Sequence, residues 1–169
     1  MITLVIGGTR SGKSDVAARI AAALGDPVTV VVPTIVADEA FAQRVRDHQA
    51  HRPESWTTVE CGPALPDALH RVTGTVLIDS LGSWVAGTEG FTVDTAALLG
   101  ALRSRSEPTV VVTEEVGLSV HPPTDAGLRF ADELGTLNAA VAAIADRVLL
   151  VVAGHVTRLE PLDAAPLEP

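Results

Sequence analysis

The sequence contains very little lysine, cysteine and aromatic side chain, and it contains no long apolar run. Only one of its 169 residues is lysine, only one is cysteine, and tyrosine does not occur. The single cysteine, Cys61, excludes an internal disulfide and is compatible with a reducing cytosol. The longest apolar stretches, such as residues 148–154, are far too short to cross a bilayer. The first residues, MITLVIGG, contain no basic leader, so we expect no signal peptide and a cytoplasmic protein.

Basic side chains are scarce as a class. The chain contains 12 Lys and Arg residues and 21 Asp and Glu residues, which gives a formal net charge of -9. Such a chain lacks the basic surface that non-specific nucleic-acid binding requires, so we expect no nucleic-acid partner. The hydrophobic fraction of 47% excludes a disordered chain, and the length fits one domain. Arginine replaces lysine on most surfaces but not where a compact ammonium is needed, which marks Lys13 as a candidate functional residue.

Short β-branched runs alternate with alanine-rich segments of helical character. The runs are apolar without alternation, as expected for parallel strands that are buried on both faces. The predicted strands are residues 2–6, 28–32, 57–60, 75–79, 109–113 and 148–152. The predicted helices are residues 13–24, 38–50, 63–72, 92–104 and 125–145. This alternation predicts one α/β domain over residues 1–160 with a mostly parallel sheet. A final hairpin is expected at residues 151–159, with Gly154 and His155 at its turn, before a proline-rich tail at 161–169.

A glycine-rich loop follows the first predicted strand. Its residues, GGTRSGKS, fit the pattern G-x-x-x-x-G-K-[ST] between an apolar strand and a helix. In such a loop the backbone N–H groups and the helix N-terminus converge on phosphate oxygens. Lys13 is then expected to reach the β- and γ-phosphates, and the Ser14 hydroxyl to bind Mg²⁺. The alternative is a chance glycine-rich turn, against which the strand–helix context argues. The candidate phosphate-binding residues are Gly7, Gly8, Thr9, Arg10, Ser11, Gly12, Lys13 and Ser14.

Acidic side chains follow two further predicted strands. Asp79 is the first charged residue of the predicted strand at 75–79 and stands at its end. This predicts that Asp79 lies at the carboxyl edge of the sheet, where it would bind Mg²⁺. The alternative is that Asp79 only caps the next segment. Glu114 and Glu115 follow the strand at 109–113 and are expected at the same edge. There one of them contacts substrate or metal, or both point to solvent.

A basic, histidine-bearing segment lies within the predicted helix at 38–50 and just beyond it. Arg44, Arg46, His48, His51 and Arg52 fall within nine residues. On a helix, Arg44, His48 and either His51 or Arg52 share one face, which would hold phosphates. A histidine in that field can act as base, acid or nucleophile. A solvated surface helix is the alternative, whereas a metal site is disfavoured because no third ligand lies nearby.

The chain resembles the bifunctional adenosylcobinamide kinase / adenosylcobinamide-phosphate guanylyltransferase family of cobalamin biosynthesis. The phosphate loop is generic, and two other features carry the resemblance more specifically. One is the run H-x-x-x-R-P-x-x-W that begins at His48, and the other is EVG at 115–117 followed by R-F…G…N at 129–138. Further matching segments are residues 44–60, 77–85, 110–122 and 128–154.

The resemblance implies a RecA-like P-loop NTPase fold with an antiparallel C-terminal strand, helices on both faces of the sheet, and a homotrimer. It also implies two reactions that use ATP, GTP and Mg²⁺: phosphorylation of adenosylcobinamide, then GMP transfer from GTP through a covalent guanylyl-histidine. His48 matches the nucleophile, Lys13 serves the phosphates, and Ser14 and Asp79 serve the metal. Further nucleotide contacts carried over by motif position are Val32, Pro33, Thr34, Gln49, Ala50, His51, Arg52, Glu60 and Asp79.

Two other interpretations of the same residues stay open. A plain P-loop small-molecule kinase would use Lys13 and Asp79 without a covalent histidine. A non-catalytic nucleotide-dependent switch would bind the nucleotide and transfer nothing. The three hypotheses differ in which label from a nucleotide reaches the protein or an acceptor.

Overall fold

A seven-stranded sheet forms the centre of the fold. The structure is a computed structural model and describes residues 1–34, 53–118 and 122–161. The strands are β1 Ile2–Gly7, β2 Val28–Val32, β3 Thr57–Glu60, β4 Thr75–Ile78, β5 Thr109–Glu114, β6 Arg147–Val152 and β7 His155–Leu159. The helices are α1 Lys13–Leu24, α2 Leu65–Arg71, α3 Leu81–Ala86, α4 Thr95–Ser104 and α5 Asp125–Ala142, with a 3₁₀ turn at Glu89–Phe91.

The strand order is β3-β2-β4-β5-β1-β6-β7. Strands β1 to β6 are mutually parallel, and β7 pairs antiparallel with β6. β1 therefore lies between β5 and β6, and its last residue, Gly7, pairs with Glu114 on one side and Val151 on the other. The carboxyl ends of these three strands meet at one edge of the sheet.

Helices cover both faces of the sheet. All six residues of β1 are buried, which explains why the strand is apolar throughout instead of alternating. Successive residues face opposite layers: Leu4 packs into a cluster with α2 to α5, and Val5 packs into a second cluster. Ala17 and Ala21 of α1 belong to the second cluster and are fully buried. Their i, i+4 spacing and small size let α1 lie close to the sheet.

The predicted α/β architecture is confirmed, with three local corrections. Helix α3 was not predicted, because it has only six residues, Gly82 among them, and its signal is the capping pair Ser80 and Ser83. The predicted helix at 92–104 begins at Thr95 instead, since the Asp94 carboxylate accepts a 2.8 Å hydrogen bond from the amide of Ala97. The helices predicted at 63–72 and 125–145 are shorter, spanning Leu65–Arg71 and Asp125–Ala142.

The hairpin at the end of the sheet turns one residue earlier than expected. Its turn residues are Ala153 and Gly154, with φ of 50° and 77°, and His155 already belongs to β7. Two consecutive positive φ angles are typical of the tight turns that match the twist of paired strands. The predicted helix at 38–50 and most of the predicted tail, residues 162–169, lie outside the described residues. Among the described helices none is both long and apolar enough to cross a membrane.

Candidate active site

The phosphate loop joins β1 to α1 in a tight left-handed bend. Arg10 and Gly12 have φ of 55° and 92°, and the Ser11 amide donates to the carbonyl of Gly8 at 3.3 Å. Helix α1 begins directly after the bend, at Lys13. The first backbone N–H groups of a helix have no intrahelical acceptor, so they are directed at the space above the loop.

Gly7 must be glycine because the loop folds back closely on it. A Cβ at this position would lie 2.6 Å from Ser11 Oγ and 2.6 Å from the Val151 carbonyl oxygen. A Cβ at the neighbouring Gly8 would meet nothing within 4 Å. The Ser11 hydroxyl is buried, and within the described ranges it has no hydrogen-bond partner. The loop thus contains a buried hydroxyl that a bound ligand is free to use as a donor.

Lys13 lies between the loop and the end of β5. Its Nζ donates to the Gly8 carbonyl at 3.3 Å and lies 3.7 Å from Oε1 of Glu114. The lysine side chain is 12% exposed and the Glu114 side chain 31%. The ammonium is therefore held beneath the loop, with a carboxylate as its counter-charge.

Asp79 follows β4 directly and is half-buried at the carboxyl edge. Its amide donates to the Val31 carbonyl at 3.0 Å, which fixes the backbone against β2. Ser80, not Asp79, is the N-cap of α3: its hydroxyl accepts from the Ser83 amide. The interpretation of Asp79 as the cap of the next segment is therefore wrong.

The neighbouring acids at the end of β5 point to different partners. Glu114 accepts hydrogen bonds from the Ser80 hydroxyl at 3.0 and 3.2 Å, beside Lys13. Glu115 turns into its own loop, where Oε1 accepts from the amides of Gly117 and Leu118. The sequence predicts both acids at this edge without deciding between them, and in the structure Glu114, the last residue of β5, is the one beside Lys13.

The remaining predicted nucleotide contacts lie apart from the phosphate loop. Val32 ends β2, Pro33 and Thr34 follow it, and Glu60 ends β3 and is exposed. Two strands separate β2 from β1, and three separate β3 from β1. At about 4.8 Å per strand these residues are roughly 14 to 19 Å from the loop along the edge. The structure therefore has residues 32–34 and Glu60 apart from residues 7–14, and Asp79 lies between them, after β4 and directly beside β2. His48, Gln49, Ala50, His51 and Arg52 lie outside the described residues.

Cys61 directly follows Glu60 in the sequence and is not a candidate nucleophile. Burial raises the pKa of its thiol to about 11. Its amide donates to the Val32 carbonyl at 3.1 Å, and the side chain packs against the larger apolar cluster. Because the thiolate is the reactive form, very little of this thiol is reactive at neutral pH.

A sequence model described as "Cobinamide kinase / cobinamide phosphate guanyltransferase" matches residues 3–159 of this chain. The chain belongs to this family. It is 32% identical over 163 residues to the bifunctional adenosylcobalamin biosynthesis protein CobP of Pseudomonas aeruginosa, covering 91% of this chain and 94% of the relative. It is also 32% identical over 178 residues to the bifunctional adenosylcobalamin biosynthesis protein CobU of Salmonella typhimurium, covering 91% and 97%. The resemblance and the enzyme class that it predicts are thereby confirmed.

A solved ATPase of a bacterial type III secretion system shares the fold. The TM-score is 0.55 at 13% identity, over 88% of this chain and 51% of the ATPase. An identity this low is evidence for the architecture alone. Together with the sheet order, it confirms the predicted P-loop NTPase fold, its mostly parallel sheet and its antiparallel last strand.

Proposed function

We propose that the chain phosphorylates adenosylcobinamide with ATP or GTP and then transfers GMP from GTP to the resulting phosphate, giving adenosylcobinamide-GDP. The observation that carries the proposal is the phosphate loop with Lys13 beneath it, in a chain that the family model matches from residue 3 to residue 159. Both reactions consume a nucleoside triphosphate, and a P-loop is built for triphosphates.

In the kinase step, residues 7–14 would bind the triphosphate. Backbone N–H groups of the loop and of the first turn of α1 would hold the β- and γ-phosphates. Lys13 would leave its contact with the Gly8 carbonyl and neutralise the oxygen that bridges these phosphates as its bond breaks. The buried Ser11 hydroxyl is available as a further donor.

Ser14 and Asp79 would hold Mg²⁺. Both have half-buried side chains with oxygen donors, the donor type that Mg²⁺ prefers. The described part of the chain contains no group of three or more His, Cys, Asp and Glu side chains arranged for a metal. This fits Mg²⁺, which usually takes one or two protein ligands and completes its shell with phosphates and water. When bound, the ion would neutralise charge on the phosphate oxygens.

In the transfer step, His48 would act as the nucleophile. A neutral imidazole nitrogen attacks the α-phosphorus of GTP, the bond to the bridging oxygen breaks, and pyrophosphate leaves. A phosphate oxygen of adenosylcobinamide phosphate then attacks the same phosphorus, and the P–N bond breaks. Nucleotide contacts would come from Val32, Pro33, Thr34, Glu60 and the segment 49–52.

We also propose a homotrimer in the cytoplasm, formed by one domain over residues 1–160 with a tail at 161–169. The resemblance implies a trimer, and the outer hairpin supports an interface. Val152, Val156 and Leu159 expose apolar side chains on β6 and β7, with β7 at the edge of the sheet. A neighbouring subunit would bury them. Light scattering on the full chain should give three times the monomer mass.

The two reactions can be measured separately by labelling different phosphates of the nucleotide. Adenosylcobinamide with γ-labelled ATP or GTP should yield labelled corrinoid phosphate, and adenosylcobinamide phosphate with α-labelled GTP should yield a labelled GDP conjugate. A plain kinase gives the first product alone. A nucleotide-dependent switch gives neither, and that result would refute the proposed function.

A further inference from the structure

The proposed function leaves one charged group in the phosphate site without a role. Glu114 is the last residue of β5 and pairs in register with Gly7, where the phosphate loop begins. Its Oε1 is 3.7 Å from the Nζ of Lys13. Lys13 is expected to bind the β- and γ-phosphates. A carboxylate in contact with it therefore lies close to the place where the γ-phosphate is transferred.

Ser80 and Gly82 fix the orientation of this carboxylate, and Asn138 fixes the backbone that carries it. The Ser80 hydroxyl donates to both oxygens, at 3.0 and 3.2 Å. The Asn138 side-chain amide donates to the Glu114 carbonyl at 2.9 Å, which holds the end of β5. Gly82 of α3 closes the remaining side: a Cβ there would collide with Oε2 and would lie 2.8 Å from Cδ.

An anion in this position opposes triphosphate binding, so we expect it to have a function that outweighs this cost. The carboxylate of Glu114 repels the phosphates of a bound triphosphate, and the repulsion is stronger because the Glu114 side chain is only 31% exposed. A carboxylate offers about four acceptor positions, of which Ser80 and Lys13 use only part. Glu114 therefore retains the capacity to accept a hydrogen bond from a hydroxyl group that enters from solvent.

We propose that Glu114 is the general base of the phosphoryl-transfer step, which rests on the proposed kinase activity. The acceptor hydroxyl donates a hydrogen bond to a Glu114 oxygen, which orients its own oxygen toward the γ-phosphorus. As the new P–O bond forms, the bond from that phosphorus to the β–γ bridging oxygen breaks and the nucleoside diphosphate leaves. The hydroxyl proton passes to Glu114 and then to water.

The test compares Glu114→Gln with wild type in three assays on the full-length protein. Glutamine keeps the shape and an acceptor for Ser80 but has little basicity. Single-turnover transfer from γ-labelled GTP to adenosylcobinamide should fall by about 10²- to 10³-fold, the usual contribution of a positioned base. The Kd of GTP should stay the same or fall, because a repelling charge is removed. Transfer of α-labelled GMP to adenosylcobinamide phosphate should stay within about twofold, since that reaction needs no hydroxyl deprotonation.

Two further variants keep the proposal falsifiable. Glu115→Gln is the matched control, because its carboxylate accepts from Gly117 and Leu118 in its own loop, and it should phosphorylate at the wild-type rate. Glu114→Asp retains the base but withdraws it by one methylene, so about a tenfold loss is expected, with GTP affinity unchanged. This variant decides the question if Glu114→Gln does not fold.

Three results would overturn the assignment. Phosphoryl transfer within about twofold of wild type in both Glu114 variants would show that no base is needed there. A loss restored by excess Mg²⁺ would identify Glu114 as a metal ligand. A parallel loss of GTP affinity and of both activities would show that Glu114 only positions Lys13. If wild type itself phosphorylates nothing, the proposed kinase function fails, and that outcome is distinct from all three.

Discussion

The amide of Gly154 donates a 2.7 Å hydrogen bond to the carbonyl of Ser11, which attaches the turn of the C-terminal hairpin to the phosphate loop. A Cβ built on Gly12 would contact the Gly154 Cα at 3.5 Å, so the two backbones lie directly against each other. The hairpin is far from the loop in sequence, yet it forms one wall of it. We therefore expect loop geometry to depend on packing between β1 and β6 as well as on the loop's own glycines.

Substitution of Gly7 by alanine tests this packing. The added Cβ would lie 2.6 Å from Ser11 Oγ and from the Val151 carbonyl oxygen, and the latter is backbone that cannot turn away. We expect a loss of about 1–3 kcal/mol in the free energy of unfolding, measured by urea denaturation, with weaker GTP binding. Gly8→Ala is the control, since its Cβ meets nothing, and its stability should lie within about 0.5 kcal/mol of wild type. Equal stabilities in the two variants would contradict the packing described.

Removal of the only lysine should abolish both activities. Lys13→Ala deletes the charge that contacts Gly8 and Glu114 beneath the loop. Triphosphate affinity should fall by at least tenfold, as measured by equilibrium titration with GTP, because a charge-assisted phosphate contact contributes about 1.5–3 kcal/mol. Unchanged affinity in the folded variant would refute the assignment of the phosphate loop.

A buried arginine far from the site is expected to dominate local stability. Arg105 donates to the carbonyls of Leu69, Val72 and Gly74 and to the Thr109 hydroxyl, and its side chain is only 4% exposed. Burial lowers the pKa of its guanidinium, and Glu107 partly offsets that effect. Arg105→Met would leave several buried acceptors without a donor.

We expect Arg105→Met to lower the free energy of unfolding by about 3 kcal/mol or more, measured by urea denaturation. Arg103→Met is the matched control, because Arg103 is exposed on α4, and it should change the stability by less than about 0.5 kcal/mol. Comparable effects of the two substitutions would show that the hydrogen bonds of Arg105 contribute little.

The thiol of Cys61 should react slowly while the protein is folded. Burial raises its pKa from 9.0 to about 11, so at pH 8 the folded protein contains much less thiolate than the unfolded chain. Alkylation by iodoacetamide at pH 8 should be at least about tenfold slower without denaturant than with it. Because the folded pKa is the higher one, the stability that this thiol contributes is complete below about pH 9 and is lost as the pH rises toward 11. Equal alkylation rates would contradict the burial.

The sequence predicted the strands and the phosphate loop because both are encoded locally. The strands Val28–Val32 and Thr57–Glu60 have the predicted bounds, and α1 begins at Lys13 as the motif requires. Thr57–Glu60 is not the apolar strand buried on both faces that was expected, because it lies at the edge of the sheet and is mostly exposed. Strand order is not local: the position of β5 between β1 and β4 brings Glu114 beside Lys13, and no spacing in the chain indicates this. Helix α3 was missed since six residues with a glycine give too little periodicity.

The roles of individual site residues remain predictions, because they depend on side-chain contacts that the local sequence does not determine. Asp79 was expected at the carboxyl edge, where the structure has it, but the acid that contacts Lys13 is Glu114. Whether an acid at this edge pairs with Lys13 depends on the direction of its side chain. For Glu114 that direction follows from Ser80 and Gly82, and Asn138 holds the backbone. The functional assignment of His48 rests on the motif at 48–56 and on family membership.

The most direct test of the proposed double reaction is covalent labelling of His48. The protein is incubated with α-labelled GTP and Mg²⁺, denatured, and assayed for label that is stable in alkali and lost in acid, as a P–N bond requires. Wild type and His70→Ala, a substitution of an exposed histidine on α2, should both carry the label. His48→Ala should carry none while still phosphorylating adenosylcobinamide. Absence of label on wild type, or equal label on His48→Ala, would contradict the guanylyl-histidine mechanism.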